Sequence, residues 1–217
     1  LKAKSIAVDQ SGMAPDEGKL MNSSLRLICV TTSYQFPLGH TMSDTRRKSL
    51  VEIANKKNAW IIEDDYDGVF RYVGDPSPAL FSLDNNQRTI YMGSFSKTLS
   101  PALRISFIVV PKVLSPAFRS IYPHLGNFGS LATQAALSDF ICKGFFAQHL
   151  TRMRILYGSR RRAMVQALHE ICNLDKTQLD NYQGGLHLTL GLHGTVNDID
   201  IVRAARKRGL ACMPLSS

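Results

Sequence analysis

The chain has 217 residues, of which 44% are hydrophobic and 20% charged, so it can bury a sizeable core. Its formal net charge is +9. No apolar run reaches the ~20 residues a membrane-spanning helix requires, and the opening LKAKSIAVDQ lacks the apolar stretch of a signal peptide.

The excess charge concentrates in Arg152, Arg154, Arg160, Arg161 and Arg162, and again in Arg203, Arg206, Lys207 and Arg208. One reading is a nucleic-acid surface, but no helix-turn-helix signature or aromatic interleaving accompanies it. The solvated faces of two amphipathic helices account for the same residues. Cys29, Cys142, Cys172 and Cys212 are far apart, form no CxxC pair and sit in apolar text, where buried free thiols are expected. That favours a reducing, cytoplasmic setting over a disulfide framework. The six histidines form no metal-binding pattern.

In chain order, Leu25 to Val30 reads as a buried strand, and YQFPLG as a turn built on Pro37 and Gly39. Ser43 or Asp44 caps a helix over 44–57, with Leu50, Ile53 and Ala54 on its inner face. Trp60 to Ile62 forms the next strand, ending in the acidic run EDDYD. Strand, helix and strand in so short a span imply a right-handed βαβ unit and a parallel sheet. In such sheets ligands lie beyond the carboxyl ends of the strands. EDDYD also fits an exposed turn, but Asp64 directly follows the apolar triplet, which puts it partly buried at the sheet's edge. A carboxylate there needs a cationic or hydrogen-bonding partner.

Phe70, Tyr72, Leu80 and Phe81 fall in a proline-containing segment that reads as a surface excursion. Arg88 to Met92 is the next strand, and it breaks at Gly93. Ser94, Ser96 and Lys97 follow in a small-residue turn, then Arg104 and a strand over 105–110. A helix over 113–124 ends in a break at Gly126 and Gly129. A helix over 130–142 has Ala135 and Leu137 inside. A long helix over 145–172 carries Phe146, Leu150, Met153, Tyr157, Met164 and Leu168 at helical spacing. GGLHLTLGL alternates as a strand, 198–208 is a last helix ending at Gly209, and LACMPLSS begins another strand.

The stretch YMGSFSKTLSPALRISF, from Tyr91 to Phe107, organises the rest. A lysine amine can form a Schiff base with an aldehyde, while neighbouring hydroxyls and an arginine seven residues on can hold a phosphate. On spacing alone the same string fits a plain loop with a solvated lysine.

Five ordered motifs extend the signal: YQFPLGHTM, IIEDDYDGVFRY, IYMGSFSKTLSPALRIS, HLTRMRILYGSRRRAM and GGLHL. With them the chain resembles the fold-type I pyridoxal-phosphate enzymes of the class I/II aminotransferase group. Within that group it is most similar to the aminotransferase-like domain of MocR-type regulators of the GntR superfamily. The resemblance implies an α/β fold, the PLP-dependent transferase type I fold. It has a mostly parallel sheet with flanking helices, plus part of a small C-terminal α+β domain. Residues 1–143 would be part of the large domain, and 144–217 the connecting helix and partial small domain.

The resemblance also assigns roles. Lys97 would form the internal aldimine with pyridoxal 5'-phosphate and later move the proton at Cα. Asp64 would pair with the pyridine nitrogen and keep it protonated. Tyr66 would hydrogen-bond the cofactor's O3′, and Ser94, Ser96 and Arg104 would hold the phosphate. Where the family has Thr-Pro-x-His-Gln, this chain has Thr31, Thr32, Ser33, Tyr34 and Gln35. The implied function is transamination of an amino compound; the alternative is an effector-sensing module that uses the same chemistry as a switch. The implied assembly is a cytoplasmic homodimer, with DNA reached only through a winged-helix domain upstream of these residues. The chain reads as a fragment, with a phosphate loop, a ring-stacking aromatic and a carboxylate-binding arginine expected outside it.

Overall fold

A computed structural model describes residues 2–15, 20, 24–125, 129–172, 184–191 and 197–216. A short hairpin, β1 (Val8–Asp9) and β2 (Gly12–Met13), precedes a four-stranded sheet. The sheet runs in the order β3 (Leu27–Val30), β4 (Trp60–Asp64), β5 (Thr89–Ser94), β6 (Ser106–Val109). The first three strands are parallel, with Cys29 beside Ile62 and Ile62 beside Ile90; β6 is antiparallel to β5.

Helix α1 (Asp44–Lys57) crosses from β3 to β4. The Ser43 hydroxyl accepts from the Arg46 amide at its start, and Asn58, in the left-handed region at φ 53°, ends it. Asp44 in the first turn and Lys56 and Lys57 in the last complement the helix dipole. Leu50, Val51 and Ala54 press on Ile28, Val30 and Ile61, and Met13, Met42 and Leu80 complete the core. Period-two alternation decides which residues point there: in β4, Ile61 and Glu63 are buried while Ile62 and Asp64 are half-buried on the opposite face.

Glu63 is therefore a carboxylate inside the core, and it is fully hydrogen-bonded. Its Oε1 accepts from the Thr32 hydroxyl at 2.7 Å and the Leu80 amide at 2.9 Å, and its Oε2 from the Phe81 amide at 3.0 Å. Arg47, equally buried on α1, donates to the carbonyls of Met42 (3.0 Å), Pro78 (2.8 Å) and Thr32 (2.8 Å). Its Nη1 lies 3.9 Å from Glu63 Oε1. The segment expected to be a surface excursion is thus partly pulled inward. Phe70 and Leu80 are fully buried, and α2 (Leu80–Leu83) starts on the Glu63 carboxylate; Phe81 remains exposed.

β5 does not break at Gly93 but runs through it to Ser94, and α3 (Phe95–Thr98) follows as one helical turn. Gly93 fits the strand because the Phe107 ring of β6 lies over it; a Cβ there would come within 2.4 Å of Phe107 Cζ. The region expected as one helix over 113–124 divides into a 3-10 turn, α4 (Ser115–Ile121) and a second 3-10 turn; Gly126 lies outside the described residues. Helix α5 (Leu131–Cys142) buries Leu137, but Ala135 is exposed. Helix α6 spans Phe145–Cys172, and Met164 on it faces solvent.

GGLHLTLGL does not pair as a strand among the described residues beyond one bridge, Gly184 to Arg71. It is held instead by scattered bonds to the large sheet's loops. The Gly185 amide donates to Phe70 O (2.8 Å), the Leu186 amide to Asp67 Oδ2 (3.2 Å), the Tyr72 phenol to Gly185 O (3.2 Å) and the Thr189 hydroxyl to Pro37 O (2.5 Å). Helix α7 (Asp198–Lys207) is followed by Gly209 at φ 82°, and 210–216 forms no strand. The thiols also differ from expectation: Cys29 and Cys142 are exposed and Cys212 half-buried, since the sheet face that Cys29 shares with Leu27 is uncovered. The side chain of Cys172 lies outside the described residues. The basic residues of α6 and α7 are mostly exposed, as solvated helix faces. No described helix is long and apolar enough to cross a membrane.

Two stability predictions follow from the buried charges. Arg47→Ala leaves three carbonyls without their donor and the buried Glu63 charge without its counter-charge, and should cost about 3–5 kcal/mol in urea unfolding. Burial pushes the Asp67 carboxyl up to about 7 from the ordinary 3.8. The folded state then binds a proton that the unfolded state releases, so stability falls as pH rises from about 4 to 7, by up to about 1.4 kcal/mol per pH unit. Asp67→Asn should flatten that slope in melts recorded across the range; an unchanged slope would assign it to other groups.

Candidate functional site at the carboxyl ends of the strands

The parallel strands deliver their chemistry to one edge. β4 ends in Asp64, whose neighbour in register is Met92, two residues before Ser94 at the end of β5. Ser94 pairs with Ser106 on β6, and Arg104 stands two residues before Ser106. Asp64, Ser94, Lys97 and Arg104, far apart in sequence, thereby meet at a single sheet end.

The turn carrying Lys97 is fixed by its own hydroxyls. Ser94 Oγ accepts from the Ser96 amide at 3.1 Å and from the Ser106 hydroxyl at 3.3 Å, and the Phe95 amide donates to Ile105 O at 3.0 Å. Lys97, on the exposed side of α3, forms no hydrogen bond or ion pair among the described residues. His149 of α6 meets Thr98 O at 2.9 Å, which ties the long helix to this turn. Arg104 adopts the left-handed region (φ 52°, ψ 32°) as the cap of a 3-10 turn, and its exposed guanidinium likewise has no protein partner among the described residues.

Asp64 was expected to be partly buried with a partner. It is half-buried, but no side chain or amide among the described residues bonds it. Burial, reinforced by the Asp65 charge, raises its pKa. Tyr66 donates to Tyr34 O at 3.2 Å, and burial followed by the charges of Asp67, Asp64 and Asp65 raises its phenol well above the ordinary value. Tyr34 and Gln35 stand in the segment that departs from the family pattern. Gln35 accepts from Thr31 Oγ1 at 2.8 Å, and Tyr34 is buried with its phenol pushed up to about 12, chiefly by desolvation.

Two residues at the site were not singled out from sequence. Asp67 is buried within reach of the Lys97 charge, which lowers its pKa against the dominant effect of burial. His187 is brought from the distant GGLHL segment to lie edge-on to Phe36 (5.4 Å between centroids) and Tyr66 (6.4 Å). Burial and the Lys97 charge both lower its pKa, which favours neutral imidazole. The sequence signal for Asp67 was the last acid of EDDYD. For His187 it was a lone polar ring in an otherwise apolar alternation, and neither signal reveals proximity to Lys97. Among the described residues no cluster of histidine, cysteine and carboxylate could hold a metal ion.

Comparison with known proteins agrees with this architecture. The family described as aminotransferase class I and II matches residues 3–217. The probable rhizopine catabolism regulatory protein MocR of Rhizobium meliloti is 45% identical over 89% of this chain and 39% of its own length. Aromatic-amino-acid aminotransferase 1 of Thermococcus litoralis is 29% identical over 96% of this chain and 52% of its own. The kynurenine aminotransferase of Pyrococcus horikoshii, solved in complex with PMP, superposes with a TM-score of 0.85 at 28% identity, over 96% of this chain and 53% of that one. The chain thus spans about half the length of these relatives. A match across nearly every residue, together with a parallel sheet that brings Asp64, Ser94 and Lys97 to one edge, makes this chain a member of the class I and II aminotransferase family, with the fold-type I architecture of its PLP-dependent relatives.

Proposed function

We propose that the chain is the cofactor-binding part of an aminotransferase-type domain that takes pyridoxal 5'-phosphate on Lys97 and serves the transamination of an amino compound. One observation carries this reading. Lys97, Asp64 and Arg104 stand at one sheet end, and among the described residues none of the three forms a side-chain hydrogen bond or ion pair with the protein. A half-buried carboxylate without a partner is costly in a fold that otherwise satisfies Glu63 with three hydrogen bonds. The three groups fit the three functions of the cofactor: a ring nitrogen for Asp64, an aldehyde for the amine and a phosphate for Arg104.

Bound there, pyridoxal phosphate supplies an aldehyde that condenses with amines and a ring that accepts electrons when the substrate's Cα–H bond breaks. Every other task falls to the chain. Asp64 holds a proton at the ring nitrogen, and its sparing hydration strengthens that pairing. Lys97 anchors the cofactor and moves a proton at the substrate Cα. Tyr66, kept protonated, would turn its single O–H from the Tyr34 carbonyl, which it meets at 3.2 Å, toward the ring oxygen. Ser94, Ser96 and Arg104 bind the phosphate, and the hydrogen-bonded turn orients them before binding.

Residues 1–143 are proposed as part of the large domain, and 144–217 as the connecting helix and part of a small one. The whole protein is proposed as a cytoplasmic homodimer. A second reading, a ligand-sensing module, is favoured by the 45% identity to a regulator. In that case DNA is bound through a winged-helix domain upstream.

Titration of the full-length protein with pyridoxal phosphate should produce a visible absorbance band that borohydride traps on Lys97. Lys97→Ala should lack it; equal behaviour of the two proteins would refute the assignment. Asp64→Asn should retain the band and lose about 100-fold or more in kcat. Arg104→Ala should weaken cofactor binding about tenfold with little change in kcat at saturating cofactor. An amino donor that yields a keto product identifies the enzyme; spectral change without product identifies the sensor.

A further inference from the structure

Ser94 and Ser106 stand opposite each other, at the end of β5 and the start of β6. Register and alternation put both on the face that carries Asp64: Asp64 lies beside Met92, and Ser94 follows Met92 by two positions. The two hydroxyls meet there, with Ser106 Oγ donating to Ser94 Oγ at 3.3 Å. Ser106 is exposed, and its side chain bonds nothing else among the described residues.

A serine hydroxyl has one proton and two lone pairs. On Ser94 the Ser96 amide donates to one lone pair at 3.1 Å and the Ser106 hydroxyl to the other. Ser94 has only its proton left, so toward a ligand it acts as a donor alone. A hydroxyl that accepts two hydrogen bonds is polarised by them and donates more strongly. Its direction is also set before a ligand binds, which lowers the cost of ordering it.

The backbone of the turn does not offer the same service. The Phe95 amide donates to Ile105 O at 3.0 Å and the Ser96 amide to Ser94 Oγ, so both are spent inside the protein. An anion at this sheet end is left with side chains: the hydroxyls of Ser94 and Ser96 and the exposed Arg104 guanidinium. The aim of one hydroxyl proton then matters.

We propose that Ser106 is a positioning residue for the cofactor's phosphate: it fills the second lone pair of Ser94 and so aims the Ser94 proton at a phosphate oxygen. The inference rests on reading the Lys97 turn as a site for pyridoxal 5'-phosphate. A fully ionised phosphate offers acceptors alone, whereas the hydroxymethyl group of pyridoxal also carries a proton. A donor-only Ser94 therefore favours the phosphorylated compound.

Absorbance titrations of the full-length protein with pyridoxal 5'-phosphate and with unphosphorylated pyridoxal test this. Both carry the aldehyde that reacts with an amine, but only one carries the anion. Ser106→Ala should weaken pyridoxal phosphate by at least about threefold, the scale of one neutral hydrogen bond, and leave pyridoxal unchanged. Ser106→Thr keeps the hydroxyl and should bind as wild type does. Ser106 is exposed, so its truncation opens no cavity in the core, and the pyridoxal titration reports whether the variant keeps its site. A smaller loss in Ser106→Ala would overturn the proposal. So would an equal loss for pyridoxal, which would mean that Ser106 supports the sheet end rather than the phosphate, or a Ser106→Thr protein as weak as Ser106→Ala. Failure of the underlying reading looks different: wild type itself would give no band that borohydride traps on Lys97, and both assignments would fall together.

Discussion

The structure depends on a carboxylate placed inside the core. Glu63 sits on the buried face of β4 and is tolerated because Thr32 and the amides of Leu80 and Phe81 hydrogen-bond it, with the Arg47 guanidinium nearby. Removing two charges from water is expensive, and such a pair is stable only when its remaining donors and acceptors are also met. Here they are met by backbone from two connections, the β3–α1 loop and the return from β4 into α2. The network is therefore a clamp: it holds the end of β3, the start of α1 and the return of the chain at Pro78 to Phe81 around one point at the end of β4.

That clamp has a consequence for the opposite face. Consecutive residues of a strand point to opposite sides, so fixing Glu63 inward directs Asp64 to the opposite face of the sheet. The two carboxylates differ by one position and have opposite surroundings. Glu63 is saturated with hydrogen bonds, while Asp64 has none among the described residues and is raised by desolvation. A fold that satisfies one acid so thoroughly leaves the next one without a hydrogen-bond partner among the described residues, at the carboxyl end of the strand. The third acid, Asp65, is intermediate, with one oxygen bonded to Tyr91 and the other buried without a hydrogen-bond partner.

The GGLHL segment shows how distant sequence enters the site. Its backbone is tied to Asp67, Phe70 and Tyr72, with the Thr189 hydroxyl just beyond it on Pro37 O, and this carries His187 to the edge of Tyr66. The ties are single hydrogen bonds rather than a strand ladder, each worth about 1 kcal/mol net.

Much was readable from local pattern. The helix over 44–57 with its Ser43 cap, the parallel βαβ unit, the long helix over 145–172 and the placement of Asp64, Ser94 and Lys97 at strand ends all follow from periodicity, capping and the right-handed crossover. These are interactions among residues close in sequence, so their signals are local. Tertiary structure alone decided the rest. Phe70 and Leu80 are buried because Glu63 recruits the Leu80 and Phe81 amides; Gly93 continues a strand because Phe107 covers it; Cys29 is exposed because nothing described covers its face. GGLHL alternates like a strand but finds only one bridge, since pairing requires a neighbour and alternation cannot supply it. His187 and Asp67 reach Lys97 through contacts across 90 and 30 positions. The sequence by itself determined which residue types stand at the strand ends; only the packed chain decided which of their charges are satisfied by protein groups, because those partners come from segments distant in sequence.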